Sequence, residues 1–344
     1  MSIMGPDPSK DSSIVRKHAV LLLSSLILQD YIKWRGLLVH RFLAACVDED
    51  LEVAHLAQTT LCGPLLSKQP NIFFNNFVEA LFVLNNCTAH KIYAAAKANG
   101  ESGSGISVSF EGIRLSKRQR MGIYRMMLSH MSDEEKIGVT ARLAKEVLAG
   151  ALEIDSDLRL CLEPLPQGQT PARSGPTPEA RRREKAFCVV SDCLAVLTSP
   201  SARVGRTSTA TNDADDVEET NAVSNGPSAA QLSAVRGRLL NKISKKHLID
   251  TVVPILCRMK QILEKSRSPL LKNLMLFFVE IYRTSKDEVK ELLASDPTSL
   301  AEIEFDLKKF SKERSRKGLP SEEEGQGTDD TEGDKEEEVA TAEE

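Results

Sequence analysis

No membrane-length apolar run occurs in this chain of 344 residues, and the opening stretch from Met1 to Asp11 has no apolar centre. A membrane span needs about 18 or more consecutive apolar residues, so neither a transmembrane helix nor a signal peptide is expected. Cysteine is sparse: Cys46, Cys62, Cys87, Cys161, Cys188, Cys193 and Cys257 show no Cys-x-x-Cys spacing, and most sit inside apolar helical runs. Reduced, buried thiols of the cytosol or nucleus are the expectation, rather than a secreted disulfide framework. There is no Gly-x-x-x-x-Gly-Lys-Ser/Thr loop and no Gly-x-Gly-x-x-Gly after a strand. The six histidines, at 18, 40, 55, 90, 130 and 247, form neither a His-Glu-x-x-His set nor a Cys/His zinc spacing. Acidic pairs abound, but without a pocket they specify no proton-transfer roles. Aromatics make up 5% of the chain with one tryptophan, Trp34. A buried anchor at a turn suits Trp34 and nearby Tyr31 better than a methyl-ammonium cage, which needs more aromatic faces. These absences weaken an enzyme reading, and no cofactor, no metal site, no small-molecule substrate and no membrane partner is expected.

What is present is helical periodicity. From Asp11 to Gln29, Val15, Ala19, Leu23 and Leu26 recur at three- and four-residue steps, with Arg16 and Lys17 beside them and Asp11, Ser12 or Ser13 available as N-cap. Val53, Ala57 and Leu61 repeat the Val15, Ala19, Leu23 spacing at an offset of about 38 residues, after Asp48 and Asp50. A shorter apolar helix, Leu37 to Val47, lies between. Helix, turn, Asp-bearing turn, helix is the layout of a HEAT-like repeat, although an ordinary bundle can carry the same stripes. On the repeat assignment, residues 1–10 occupy the place of a first helix, and the helix from Ser12 to Gln29 exposes apolar surface that a neighbour normally covers. That would suit a chain cut from a longer array.

Further helices follow in order. Phe73, Phe74, Phe77, Leu81 and Leu84 line one from Asn71 to Asn86, and glycines at 100, 103 and 105 make Ala94 to Ser109 a loop. Ser116 to Leu128 enters a helix, and Ile137, Ala141, Ala144, Val147 and Leu148 face inward on the next. A Pro-rich linker over 153–178 precedes a helix over 179–198 that starts with Arg181-Arg182-Arg183. A Ser/Thr/Asp/Asn-rich passage over 199–228 reads as disordered. Helical pattern resumes over 229–317, with Pro254 able to bend one helix. From Pro320 to Glu344 there are twelve acidic residues and one lysine, so against a total of −4 the rest of the chain carries about +7. The expected organisation is an all-α, HEAT-like solenoid of helix pairs, over 11–152 and 229–317, with a disordered linker and an acidic disordered tail over 318–344.

Two basic patches are candidates for nucleic-acid phosphates. Lys117, Arg118 and Arg120 crowd the first turn of a helix, where the dipole disfavours cations. Arg236, Arg238, Lys242, Lys245 and Lys246 interleave with the apolar stripe Leu232, Val235, Leu239, Ile243. A solvated basic face is the plainer explanation of both. Thr170, Thr177 and Ser199 each precede a proline and are candidates for proline-directed phosphorylation.

With these residues laid out, the chain resembles the D-type HEAT-repeat non-SMC subunits of condensin II. The resemblance rests on Val15-Arg16-Lys17, Tyr31-Ile32-Lys33-Trp34-Arg35-Gly36, Phe73-Phe74-Asn75-Asn76-Phe77-Val78-Glu79 and Arg118-Gln119-Arg120-Met121-Gly122-Ile123-Tyr124. It continues through Ile249 to Leu263 and Leu300 to Phe310. It implies a non-catalytic scaffold in mitotic chromosome condensation. Its partners would be a kleisin, an SMC ATPase pair that does the hydrolysis, a second HEAT subunit, DNA and chromatin, including methylated histone tails, in the nucleus and on chromosomes. The sequence from about Ile154 to Ser228 departs from the family pattern. A solenoid adaptor outside chromosome biology and a partial, non-functional product are the other readings.

Overall fold

The computed structural model describes residues 11–90, 115–154, 156–163, 177–203, 229–292, 294 and 297–316. Every regular element among them is helical. The described residues fall into two compact units, divided between Asp296 and Pro297.

The first unit opens with α1 (Asp11–Leu28), α2 (Leu37–Ala45) and α3 (Leu51–Thr60). Asp50 caps α3, its Oδ1 accepting from the backbone N–H of Glu52 at 2.9 Å and of Val53 at 3.3 Å. The bond from Glu52 leads in holding the Asp50 carboxyl below the usual carboxylate range. Val53, Ala57 and Leu61 are fully buried, as their spacing predicts. On α1 the phase differs: Ala19, Val20, Ser24 and Ile27 face inward, while Val15 is 56% exposed and Leu22 63% exposed. The reason is that α1 packs on α3 along one side, and Ile14, Val15, Leu21 and Leu22 point away from it. Apolar surface is thus exposed on this helix, and of the repeat spacing only Val15 belongs to it. Polar ties fix α1 at both ends. Arg16 donates to both oxygens of Asp48, Nε to Oδ2 at 2.8 Å and Nη2 to Oδ1 at 2.9 Å. Lys68 donates to the carbonyls of Ile27 and Leu28 at 2.8 and 3.0 Å, placing a cation where the dipole favours it.

Helix α3 runs on through a π-helical segment, Leu61–Leu65, that absorbs Pro64. Then α4 (Ile72–Leu84) is buried nearly all round, with Asn76, Val78, Ala80, Phe82 and Val83 enclosed as well as Phe73, Phe77, Leu81 and Leu84. Phe74 is only half-buried. Trp34 is the expected anchor, edge-on to Phe42 with ring centroids 5.1 Å apart, whereas Tyr31 is exposed. His40, fully buried on α2, meets Glu79 of α4 at 2.7 Å.

Next come α5 (Lys117–Ser129) and α6 (Asp133–Arg142), each started by a capping box: Ser116 with Gln119, and Ser132 with Glu135. Helix α6 turns π-helical over Leu143–Ala149, which shifts its phase: Val139 and Leu143 join Ala144, Val147 and Leu148 inside, while Ile137 and Ala141 are half-buried. Gly138 lets α6 approach α4; a Cβ there would lie 2.7 Å from Cε2 of Phe74. The chain beyond holds structure where a linker is expected, a 3-10 turn Asp157–Cys161 with Leu158 and Leu162 buried. Helix α7 (Pro178–Thr198) packs on that turn, on α4 and α5, and on α10. A second 3-10 turn, Pro200–Ala202, follows it. The expected loop over 94–109, most of the passage over 199–228 and the acidic tail lie outside the described residues.

Helix α8 (Ala229–His247) passes through a π-helical segment, Leu248–Val252, into α9 (Val253–Lys265). The segment stands directly before Pro254, where the sequence predicts a bend and where one backbone N–H is missing. Then α10 (Leu270–Thr284) and α11 (Lys286–Leu292) complete the first unit. The second unit contributes α12 (Pro297–Arg316). Helices close in sequence pack on each other in succession, from α1 on α3 through α2 on α4 and α4 on α5 and α6 to α9 on α10. The fold is an all-α, HEAT-like solenoid. All seven cysteines are free. Burial pushes the Cys46 and Cys193 thiols up, and that of Cys161 up to about 12, so they stay protonated and inert.

At the middle of the unit sits Asp192 of α7, with no exposed surface. It accepts from Arg120 Nε at 2.7 Å and Nη2 at 3.3 Å, from Asn85 Nδ2 at 3.0 Å and from the Tyr124 hydroxyl at 3.4 Å. Ser191, its neighbour, accepts from Lys117 Nζ at 2.9 Å and Asn273 Nδ2 at 3.1 Å. Burial is the largest influence and opposes the Arg120 charge, but the bond to Asp192 together with the Asp192 charge and its neighbours outweighs it, and the guanidinium pKa is raised. Burial first, then the nearby Asp192 charge, pushes the Tyr124 hydroxyl well up. Removing one partner of such a buried pair leaves an uncompensated charge, at a cost of about 3–5 kcal/mol, whereas replacing both by apolar groups is often neutral. Arg120→Ala is therefore expected to lower unfolding stability by about 3–5 kcal/mol in urea denaturation, and Arg120→Met with Asp192→Leu to recover most of it. A loss under about 1 kcal/mol for Arg120→Ala would contradict this account of the pair.

Candidate nucleic-acid interface

The three cations at the start of α5 do not share a face. Lys117 and Arg118 are exposed. Arg120 is only 8% exposed, because it lies in line with Tyr124 and Met127 on the inward stripe, and its third bond goes to the carbonyl of Leu115 at 2.7 Å. The expectation of an Arg120 turned to phosphate is corrected by this placement: its guanidinium is committed to Asp192. Cations in the first turn oppose the helix dipole, and the Asp192 carboxylate brought up beside α5 offsets part of that cost. Lys117 reaches Ser191 with its ammonium while keeping exposed surface, so Lys117 and Arg118 remain as an outward pair.

On α8, Val235, Leu239 and Ile243 are exposed, although the sequence pattern reads as an inward stripe. At 100° per residue, Arg238, Lys242 and Lys245 line one edge of this ridge, Arg236 lies beyond the other, and Lys246 falls within it. Arg238, Lys242 and Lys246 are exposed and Lys245 is half-buried. Arg236 is ion-paired to Glu134 at the start of α6, against which α8 packs. The Glu134 carboxyl is held below the usual range, first by its own backbone N–H and then by Arg236. Four α8 cations are thus available to a polyanion, and a fifth would have to exchange an exposed carboxylate for it.

The phosphorylation candidates separate as well. Thr177 is exposed and caps α7, its Oγ1 accepting from the Ala180 N–H at 3.2 Å. Ser199, expected in an exposed region, is 7% exposed, and its Oγ makes no hydrogen bond among the described residues. Ser199 stands between α7 and the turn Pro200–Ala202, at the N-cap of that turn. Thr170 lies outside the described residues. The Asp192 centre is the feature that residue patterns missed. Its signal is an acidic residue inside the apolar run Val189-Val190-Ser191-Asp192-Cys193-Leu194, which requires a buried partner.

Among the described residues, no group of three or more His, Cys, Asp or Glu side chains is placed to hold a metal ion. No helix among them is long and apolar enough to cross a membrane.

Comparison with known proteins gives two matches to family models in succession. Residues 9–150 match the non-SMC mitotic condensation complex subunit 1 model, and residues 203–318 match the model of condensin-2 complex subunit D3-like HEAT repeats. Among curated proteins, the chain is 26% identical over 313 residues to condensin-2 complex subunit D3 of Mus musculus, covering 88% of this chain and 18% of that protein. It is 27% identical over 307 residues to subunit D3-L of Xenopus laevis, with the same coverage of both chains. To subunit CAP-D3 of Arabidopsis thaliana it is 30% identical over 304 residues, covering 88% of this chain and 21% of that one. The chain thus spans about a fifth of the length of these relatives. No solved structure matches it. Two family models side by side, and relatives of one kind aligned across most of the sequence, make the chain similar to the condensin-2 D3-like HEAT-repeat non-SMC subunits.

Proposed function

We propose that this chain is a non-catalytic scaffold segment of condensin II, acting in mitotic chromosome condensation in the nucleus and on chromosomes. Its helical faces join the kleisin, the SMC ATPase pair and the second HEAT subunit, and its outward cations rest on DNA phosphates. The observation that carries the reading is the alignment to D3 subunits over 88% of the chain. The chemistry of the interior agrees with a scaffold. The buried side chains Asp192, Arg120 and His40 are engaged in ties between helices, and buried Lys260 pairs with Glu264 within α9. Methylated histone tails belong to the same chromatin setting, without residues assigned to them here.

DNA contact would run through Lys117, Arg118, Arg238, Lys242, Lys245 and Lys246, with Arg236 joining on release of Glu134. Phosphate contacts of this kind are largely independent of sequence and dependent on salt, since each neutralised phosphate releases counterions.

Affinity purification of the tagged chain from dividing cells is expected to recover a kleisin and both SMC proteins; a folded chain that recovers none of them would refute condensin membership of this segment. For the DNA contact, each lost phosphate contact should reduce the slope of log affinity against log salt by about 0.9. Lys117→Glu with Arg118→Glu is therefore expected to flatten the slope by about 2, and an unchanged slope would remove α5 from the interface.

A further inference from the structure

A cleft of about 210 Å3 opens beside the start of α7, lined by Cys87, Thr88, Ala89, Asp157, Pro178, Arg181, Arg182 and Lys185. Of the basic run that begins this helix, Arg183 is set apart: it pairs with Glu163 at 3.6 Å. Arg181, Arg182 and Lys185 turn to the cleft, and among the described residues no carboxylate stands within ion-pair distance of any of them. Asp157 shares the lining without pairing to them, so the four side chains leave a net charge of about +2. Three like charges gathered in the first turns of a helix repel one another and oppose its dipole. Some cations of this chain are matched by a carboxylate, Arg120 by Asp192, Arg236 by Glu134 and Arg16 by Asp48, whereas Arg118 and, on α8, Arg238, Lys242 and Lys246 face outward on open surface. Here the matching anion has to come from outside the cluster.

The shape selects among anions. Pockets for whole small molecules run to about 300–1,000 Å3, so a cleft of this size takes one side-chain-sized group. A duplex presents its phosphates singly charged along a continuous ridge, which suits outward cations on an open face such as those of α8. A phosphate monoester carries about −1.5 to −2 near neutral pH, which balances the cluster, and guanidinium groups meet its oxygens with paired N–H donors. The Thr88 hydroxyl adds a further hydrogen-bonding group, and Ala89 and Pro178 give an apolar wall for the chain that bears the phosphate.

We propose that this cleft is a docking pocket for a phosphorylated threonine or serine of a partner polypeptide, with Arg181, Arg182 and Lys185 as the phosphate-binding groups. The proposal is independent of condensin membership, because it rests on the cleft alone.

The test uses the full chain and a fluorescent phosphothreonine peptide library with randomised flanks, against the same library with unmodified threonine, read by anisotropy. Binding of the phosphorylated library at least tenfold tighter than the unmodified one is expected, with the difference abolished by Arg181→Glu and Arg182→Glu. Lys185→Glu alone should weaken it severalfold and serves as the second variant if the double change impairs folding. Lys265→Glu, at an exposed cation in the last turn of α9, should leave peptide binding unchanged. Equal binding of the two libraries, or a preference that survives both α7 variants, would overturn the proposal. It would also be overturned if the α7 variants lost affinity only for duplex DNA, which would make the cluster a nucleic-acid contact.

Discussion

A carboxylate cannot sit in a protein interior without partners, and the first unit of this molecule is arranged around one that does. Asp192 draws Asn85 from the C-cap of α4 and Arg120 and Tyr124 from α5, while its neighbour Ser191 draws Lys117 from α5 and Asn273 from α10. In an apolar seam, helices can slide or rotate by small steps at low cost; a charged pair with directional bonds removes that freedom. The rotation of α5 follows from it. With Arg120 turned inward, a residue two positions earlier points about 200° away, and Arg118 is delivered to solvent. The exposed cation and the buried one are consequences of a single constraint.

Similar ties recur between neighbouring helices along the unit. Arg16 reaches Asp48, Lys68 closes the end of α1, His40 meets Glu79, and Arg142 donates to the Phe74 carbonyl at 2.9 Å while its guanidinium lies over that ring at 5.7 Å. Each joins elements close in the stacking order, as expected for an array in which repeats contact only their neighbours. The apolar seams supply the bulk of the stabilisation, and these bonds set register. Surface left over is free for partners: the apolar side of α1, the ridge of α8 and the cations beside it.

Helical class, the Asp-bearing turn before α3 and the enclosed stripe Val53, Ala57, Leu61 were legible from residue spacing, because a helix buried on one face writes its period into the sequence. The phase of α1 was not. That helix carries apolar residues on more than one side, and only the position of α3 decides that Val20 and Ile27 go inward while Val15 does not. Phase was lost again on α6, where a π-helical segment changes the period partway along. Among the candidate phosphate contacts, Arg120 could have been set aside from its alignment with Tyr124 and Met127, had Asp192 been recognised as its partner. On α8 the interleaving of Val235, Leu239 and Ile243 with cations reads as an ordinary buried stripe, and nothing in spacing tells that the neighbouring helices leave it open. Ser199 looked accessible because it opens a Ser/Thr-rich passage, but it is buried at the junction of α7 and the short turn after it.

The central claim is of a firmly held helical interior whose interactions take place on outward faces. Hydrogen–deuterium exchange of the full chain with and without duplex DNA tests it most directly. The account predicts that amides of α7 around Ser191 and Asp192 exchange most slowly in both states, and that DNA adds protection at the start of α5 and along α8. Rapid exchange around Asp192, or DNA-induced protection confined to the interior helices with none on α5 or α8, would contradict it.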